Sequence, residues 1–240
     1  MPNVEDKVRI FLCMTFSKYL LKILAELERT FHPDELAYLA ATGKIEGPIR
    51  DRIAFGLHSQ IKKDFFVHRE WNSQKGGWTD IAVTDVANHP KYLIELKAHS
   101  GPTFEGVYSK HIAKDLKKMY LAGERDTELY LIFLFNHLYH PMLIDQKYEH
   151  AIKYFKLQNF GLRNTKFSPD VSSVTKKHWE DHLVRIGLLL NASHPGIRIN
   201  AGNYHSMAMS VYAYVYGPVF RLGLTKVLSR IEANNFKFEH

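Results

Sequence analysis

Seven residues, Tyr92-Leu93-Ile94-Glu95-Leu96-Lys97-Ala98, have the alternating pattern of an extended strand. Successive side chains of a strand point to opposite faces of a sheet, so Leu93, Glu95 and Lys97 share one face. The four remaining side chains are apolar or aromatic, which predicts that the other face is buried. This strand therefore carries an acid and a lysine side by side on a sheet that is packed on its opposite surface.

A second strand is predicted just before it, over residues 78–84, where Asp80 alternates with Thr79 and Ile81. The polar connection at residues 85–90 ends in Pro90 and suits the turn of a hairpin. In such a hairpin Asp80 would lie across from Glu95 on the same face. Two carboxylates and one ammonium group would then share a pocket.

A helix and a strand are predicted before this hairpin. Pro48 suits the first turn of a helix, and the apolar residues that follow recur every four positions, at Ile49, Ile53, Leu57 and Ile61. Residues 65–70 then predict a strand, and the Ser, Gly and Asn content of residues 72–77 predicts a turn. The hairpin is therefore preceded by one helix and one further strand.

After Pro102 the pattern becomes helical again. The apolar stripe of this helix, which ends near Gly123, consists of Tyr108, Ile112, Leu116 and Met119. Lysines lie largely off the stripe, at Lys110, Lys114, Lys117 and Lys118. The apolar, aromatic-rich residues 128–135 then predict a buried strand.

The order helix, strand, strand, strand, helix, strand predicts an α/β fold with a mixed central sheet flanked by helices. We expect one domain over residues 1–240, with N-terminal helices up to residue 45, a core at 46–136 and a C-terminal elaboration at 137–240. The N-terminal helices are predicted near residues 4–27 and 33–43. In the elaboration, helices are predicted near 149–157, 177–190 and 223–233, and a strand near 207–216.

Composition limits the classes of function. The formal charge of +7 indicates an anionic partner such as a nucleic acid. Cys13 is the only cysteine, which excludes an intramolecular disulfide and a multi-cysteine zinc site and predicts a reducing compartment. No apolar stretch is long enough to span a bilayer, and no glycine-rich phosphate loop is present. The sequence thus predicts a cytoplasmic protein without a membrane segment or a nucleotide cofactor.

The three clustered side chains suit the hydrolysis of a phosphodiester. Mg²⁺ prefers oxygen ligands and keeps several waters, so Asp80 and Glu95 together with a substrate phosphate could hold it. The metal would stabilise charge on the phosphate and activate a water. Lys97, two residues from a ligand, could position that water and offset the developing negative charge. The structural alternative is a surface Glu and Lys that form a weak pair on an edge strand.

Asp80 followed by Glu95-Leu96-Lys97 resembles the signature of the PD-(D/E)XK nucleases, although Thr79 stands where that family's name has proline. The order of elements from Pro48 to Phe135 is also similar to the restriction-endonuclease-like core of that family. The resemblance implies that Asp80, Glu95 and the carbonyl of Leu96 bind Mg²⁺, with Mn²⁺ as an alternative metal. It also implies an auxiliary acid, for which Glu46 is the candidate and Asp51 the substitute.

The activity implied by this resemblance is that of an Mg²⁺-dependent endodeoxyribonuclease whose products carry 5′-phosphate ends. A restriction-type enzyme that acts as a homodimer is favoured. One alternative is a structure-specific nuclease of repair, recombination or a mobile element. Another is a nucleic-acid-binding or assembly module that keeps the fold without turnover. Cations interleaved with aromatic residues in the C-terminal half are candidate DNA contacts, namely Lys147, Lys153, Lys156, Arg163 and Lys166.

Overall fold

The structure of the protein, a computed structural model, describes residues 16–42, 45–61, 63–99, 107–138, 196–205, 207–220 and 229. The helices in these ranges are α1 (16–26), α2 (Glu35–Thr42), α3 (Glu46–Gln60) and α4 (Val107–Ala122), with a 3₁₀ turn at Leu27–Thr30 after α1. The strands are β1 (Phe65–Asn72), β2 (Trp78–Asp85), β3 (Pro90–His99), β4 (Glu128–Leu138), β5 (Ile197–Tyr204) and β6 (Met207–Phe220). None of the helices in the described ranges is both long enough and apolar enough to cross a membrane.

The six strands form one mixed sheet in the order β1-β2-β3-β4-β6-β5. β1, β2 and β3 are antiparallel neighbours, whereas β3 and β4 run parallel. The connection between the two parallel strands passes through α4, because parallel strands need a crossover. β6 returns antiparallel to β4, and β5 is antiparallel to β6. β3 therefore lies inside the sheet, between β2 and β4.

Helices cover both faces of the sheet. α1, α2 and α3 lie on one face, where Leu24, Ile53 and Ile94 belong to one buried cluster. α4 lies on the other face, where Leu93 and Leu116 belong to a second buried cluster. Neighbouring residues of β3 thus pack in opposite directions, as strand alternation predicts. The α/β class with a mixed sheet flanked by helices is confirmed.

Most element positions between residues 16 and 138 agree with the sequence predictions, with shifts at the ends, whereas residues 4–15 of the first predicted helix lie outside the described residues. α2 begins at Glu35, two residues after Pro33. α3 begins at Glu46, so the prediction that Pro48 opens this helix is wrong by two residues. Proline is tolerated in the first helical turn because the main-chain N–H groups there have no partner within the helix.

The C-terminal half agrees less well with the predictions. The strand predicted at 207–216 is β6, which extends to Phe220. β5 was not predicted at all, although it pairs with β6 along most of its length. The helices predicted near 149–157 and 177–190 lie outside the described residues, and the one near 223–233 is described only at residue 229.

β1 is interrupted at Glu70, whose φ of 50° lies in the left-handed region. This conformation is uncommon for residues other than Gly, Asn and Asp. Arg69 contacts Asp51 of α3, whereas Trp71 packs against the cluster on the α4 side. Nη1 of Arg50 lies 2.7 Å from Oε1 of Glu70, and this ion pair helps to hold the interrupted strand against α3.

Gly76, in the turn between β1 and β2, packs against the backbone of α4. A Cβ at this position would lie 2.4 Å from the carbonyl oxygen of Lys118 and 2.8 Å from the nitrogen of Ala122. Because neither atom can move without displacing the helix, Gly76→Ala should lower the free energy of unfolding by about 1–3 kcal/mol. Urea denaturation followed by circular dichroism measures this change.

Gly47→Ala is the matched control for that variant. It lies in the first turn of α3, where the described structure leaves a Cβ free of contacts within 4 Å. Because alanine is the better helix former, this substitution should leave stability unchanged or raise it by up to about 1 kcal/mol. Equal losses in the two variants would contradict the close packing of the turn on α4.

Candidate functional site

The main-chain pairing of β2 with β3 stops at Ile81 and Ile94, and side chains take its place beyond that point. The N–H of Leu96 donates a hydrogen bond to Oδ2 of Asp80, with 2.8 Å between nitrogen and oxygen. The N–H of Asp80 in turn donates to Oε2 of Glu95 at 3.4 Å. Asp80 and Glu95 therefore lie next to each other where β2 and β3 separate, which is the position that the predicted hairpin gives them.

Glu46, the first residue of α3, reaches the same edge of β3. Its Oε2 accepts a hydrogen bond from the N–H of Ala98 at 2.9 Å. The N–H and C=O groups of one strand residue point to the same side, so the carbonyl of Leu96 also faces this edge. The structure thus brings together Glu46, Asp80, Glu95 and the main chain of Leu96.

Two residues of α4, Asp115 and Lys118, complete the group of charges. Oδ2 of Asp115 lies 3.0 Å from Nζ of Lys97. Nζ of Lys118 lies 2.5 Å from Oε1 of Glu95 and 3.4 Å from Oδ1 of Asp115. Glu95 and Asp115 are buried, and the side chains of Lys97 and Lys118 are 21% and 19% exposed, respectively. All four groups therefore interact where water is largely excluded, which strengthens their electrostatic coupling.

Burial dominates the ionisation of Glu95. Burial is the largest cause, and repulsion from Asp80 the next largest, of a rise in the pKa of this carboxyl from 4.5 to about 8. The ammonium group of Lys118 lowers the pKa but does not cancel the rise. Glu95 is therefore an acid whose ionised form would be stabilised by an additional cation nearby.

Lys97 keeps its charge despite burial. Burial alone would lower the pKa of its ammonium group, but the carboxylates of Asp115 and Glu46 outweigh that effect. The pKa of Lys97 is consequently raised above its usual value of 10.5. A permanent positive charge therefore lies on the same face of β3 as Glu95.

A second set of ion pairs holds α3 against the sheet near Asp80. Nη1 of Arg50, which pairs with Glu70, also lies 3.9 Å from Oδ1 of Asp80. Asp51, the substitute candidate for the auxiliary acid, instead contacts Arg50 at 3.1 Å and Arg69 at 2.9 Å. Of the two candidates on α3, Glu46 is thus the one hydrogen-bonded to β3.

The oxygen atoms at this edge suit a hard divalent cation. Mg²⁺ takes carboxylate and carbonyl oxygens and keeps several waters, and such oxygens are available from Asp80, Glu95 and the main chain of Leu96. The ammonium group of Lys118 does not fully offset burial and the repulsion from Asp80 in setting the pKa of Glu95, so a further cation would stabilise the ionised carboxylate. Over the described ranges, no three or more His, Cys, Asp or Glu side chains are arranged as a metal-binding group. A metal here would therefore need the Leu96 carbonyl and water as additional ligands.

Sequence reasoning missed Asp115 and Lys118. Their spacing of three residues places them on one side of α4, next to its apolar stripe, but this signal is shared by many surface pairs. Lys118 was predicted to lie off the apolar stripe with three other lysines, and its contact with Glu95 was not predicted. The cations predicted to contact DNA lie outside the described residues, namely Lys147, Lys153, Lys156, Arg163 and Lys166.

Comparison of the chain with models of protein families, with curated proteins and with solved structures finds no match.

The raised pKa of Glu95 predicts a pH dependence of stability in the metal-free protein. Between about pH 4.5 and 8 the folded protein retains a proton on Glu95 that the unfolded chain has lost. This group should therefore lower stability as the pH rises through that window, with a steepest slope of about 1.4 kcal/mol per pH unit. Glu95→Gln should remove this component. Urea denaturation of both proteins in EDTA across the window measures the difference, and identical slopes would contradict the shift.

Proposed function

We propose that this chain is an Mg²⁺-dependent endodeoxyribonuclease that hydrolyses DNA phosphodiester bonds and leaves 5′-phosphate ends. The observation that carries the proposal is the contact of Asp80 with Glu95 and Leu96 where β2 and β3 part. Lys97 lies on the same face of β3, and Glu46 is bonded to the same edge. These are the groups that metal-assisted hydrolysis of a phosphodiester requires.

Each residue has a distinct role in the proposed reaction. Asp80, Glu95 and the carbonyl of Leu96 would hold the metal ion, which, when bound, supplies charge stabilisation for the phosphate and activation of a water. Lys97 orients the attacking water and offsets the negative charge that develops on the phosphate oxygens. Glu46 is close enough to β3 to act as an auxiliary acid.

The topology supports the proposed relationship to PD-(D/E)XK nucleases. α3, β1, β2, β3, α4 and β4 follow one another in the order that the resemblance implies, and β3 pairs with β4 in parallel. The net charge of +7 favours a polyanionic substrate, because bound cations release counterions from DNA. Within this proposal, a restriction-type enzyme that acts as a homodimer in the cytoplasm remains the preferred form. A nuclease that recognises branched or nicked DNA is the alternative.

A non-catalytic binding module is the second candidate. It is favoured by the fact that both lysines of the site already have acidic partners, Lys97 with Asp115 and Lys118 with Glu95. Such a charge network could serve stability alone. Binding of DNA without cleavage in either Mg²⁺ or Mn²⁺ would support this candidate over the nuclease.

Lys97→Ala should reduce the rate of DNA cleavage at least about 100-fold while leaving DNA affinity nearly unchanged. Loss of a group that acts mainly on developing charge affects the rate more than binding. Asp80→Asn should be similarly inactive. Incubation of the protein with varied plasmid DNA and Mg²⁺, followed by sequencing of the fragment ends, measures both activity and site preference.

Lys91→Ala is the matched control, since Lys91 belongs to the same strand and pairs at the surface with Asp85 at 3.0 Å. Its cleavage rate should equal that of the unaltered protein. Cleavage by Lys97→Ala at the unaltered rate would contradict the assigned mechanism. A comparison of matched linear, branched and nicked DNAs separates a sequence-specific enzyme from a structure-specific one.

A further inference from the structure

Lys118 occupies an unusual place among the lysines of α4. Lys114 and Lys117 are exposed and form no ion pair with the residues that the structure describes. Lys118 is only 19% exposed and contacts Glu95 and Asp115. Lysine is rarely withdrawn from water without a partner of opposite charge. Its position therefore depends on these two acids.

The contact with Glu95 uses an oxygen that a metal ligand would need. Oε1 of Glu95 is 2.5 Å from Nζ of Lys118, while Oε2 accepts the N–H of Asp80. Both oxygens of this carboxylate are thus engaged in the metal-free protein. A cation that binds Glu95 through Oε1 must first take the place of the ammonium group.

We infer that Lys118 is an internal counter-ion of Glu95 that a divalent cation displaces, and that Asp115 retains the released ammonium group. This inference rests on the proposed function, because it assumes that Glu95 binds metal. Oδ1 of Asp115 already lies 3.4 Å from Nζ of Lys118, so a small side-chain movement transfers the ammonium group fully to Asp115. The same Asp115 holds Lys97 through Oδ2. Lys118 is accordingly a positioning residue and a competitor of the metal.

The positive charge of Lys118 is sufficient to predict how its removal changes the affinity for Mg²⁺. Removing the positive charge of Lys118 removes a repulsion that acts about twice as strongly on a divalent cation at Glu95 as on a monovalent one, since Coulomb energy scales with charge, so Mg²⁺ gains affinity. The loss of direct competition for Oε1 adds to this gain.

The test is isothermal titration of the purified 240-residue chain with Mg²⁺ at pH 8.5, without DNA. Lys118→Met keeps the length of the side chain and removes its charge, and it should bind Mg²⁺ about tenfold more tightly than the unaltered protein. Lys118→Arg keeps the charge and should bind Mg²⁺ as the unaltered protein does. Lys114→Met, one turn away and without an ion pair in the described structure, should also leave the affinity unchanged.

Equal or weaker Mg²⁺ binding by Lys118→Met would overturn the inference while leaving the proposed function intact, provided that Asp80→Asn loses the binding. Absence of Mg²⁺ binding from the unaltered protein and from Lys118→Met alike would overturn both. Binding by Lys118→Met alone would support the inference.

A measurement on the unaltered protein covers the case in which Lys118→Met does not fold. The ¹⁵Nζ resonance of Lys118, assigned by its loss in Lys118→Arg, should shift on addition of Mg²⁺ as the ammonium group leaves Glu95. A resonance that stays unchanged at saturating Mg²⁺ would overturn the inference.

Discussion

Two main-chain N–H groups of β3, those of Leu96 and Ala98, are paired with carboxylates where the neighbouring strand has turned away. Asp80 accepts one of these hydrogen bonds and Glu46 accepts the other. An unpaired donor in a part-buried position costs about 1–3 kcal/mol, so the parting of β2 from β3 is tolerated only because acceptors are supplied. The two acids thus have a structural task that is independent of any reaction. The same hydrogen bonds fix the directions of their remaining oxygens.

The second feature of this region is an excess of acids over bases. Two ammonium groups, from Lys97 and Lys118, face a set of four carboxyl groups, namely Glu46, Asp80, Glu95 and Asp115. Arg50 is close to Asp80 but shares its guanidinium group with Glu70. Burial and this imbalance together account for the reluctance of Glu95 to ionise. The region therefore combines a rigid backbone edge with an incomplete balance of charge.

Local periodicity was sufficient to predict the strand part of this arrangement. The alternation of residues 92–98 separates Glu95 and Lys97 from the apolar face, and a hairpin places Asp80 opposite Glu95 whatever packs around it. The contacts of Asp115 and Lys118 depend instead on the rotation of α4 about its axis against the sheet. That rotation is set by packing of the whole helix, which no short motif records. The apolar stripe predicts the position of α4 but does not indicate which of the lysines beside the stripe contacts β3.

The C-terminal strands show a related limit. β5 contains Asn200, Gly202 and Asn203, which weaken its strand pattern, and it is recognisable only through its pairing with β6. β6 continues through Gly217 and Pro218, a pair that normally signals a break, because its end still pairs with β4 at Glu128. In both cases long-range pairing overrides local preference. Local patterns are therefore most informative in the segment where neighbouring elements along the chain also pair in space.

The left-handed conformation of Glu70 has a consequence for self-association. β1 is the outermost strand at one end of the described sheet, and an outer strand can recruit a strand from a second molecule. The backbone of β1 is regularly extended over residues 65–69, and it leaves the extended conformation at Glu70. The charged side chains of Arg69 and Glu70 would flank any added strand, and charged residues on an outer strand disfavour strand addition. The irregularity anchored by Arg50 should thereby discourage fibrous aggregation through this end of the sheet.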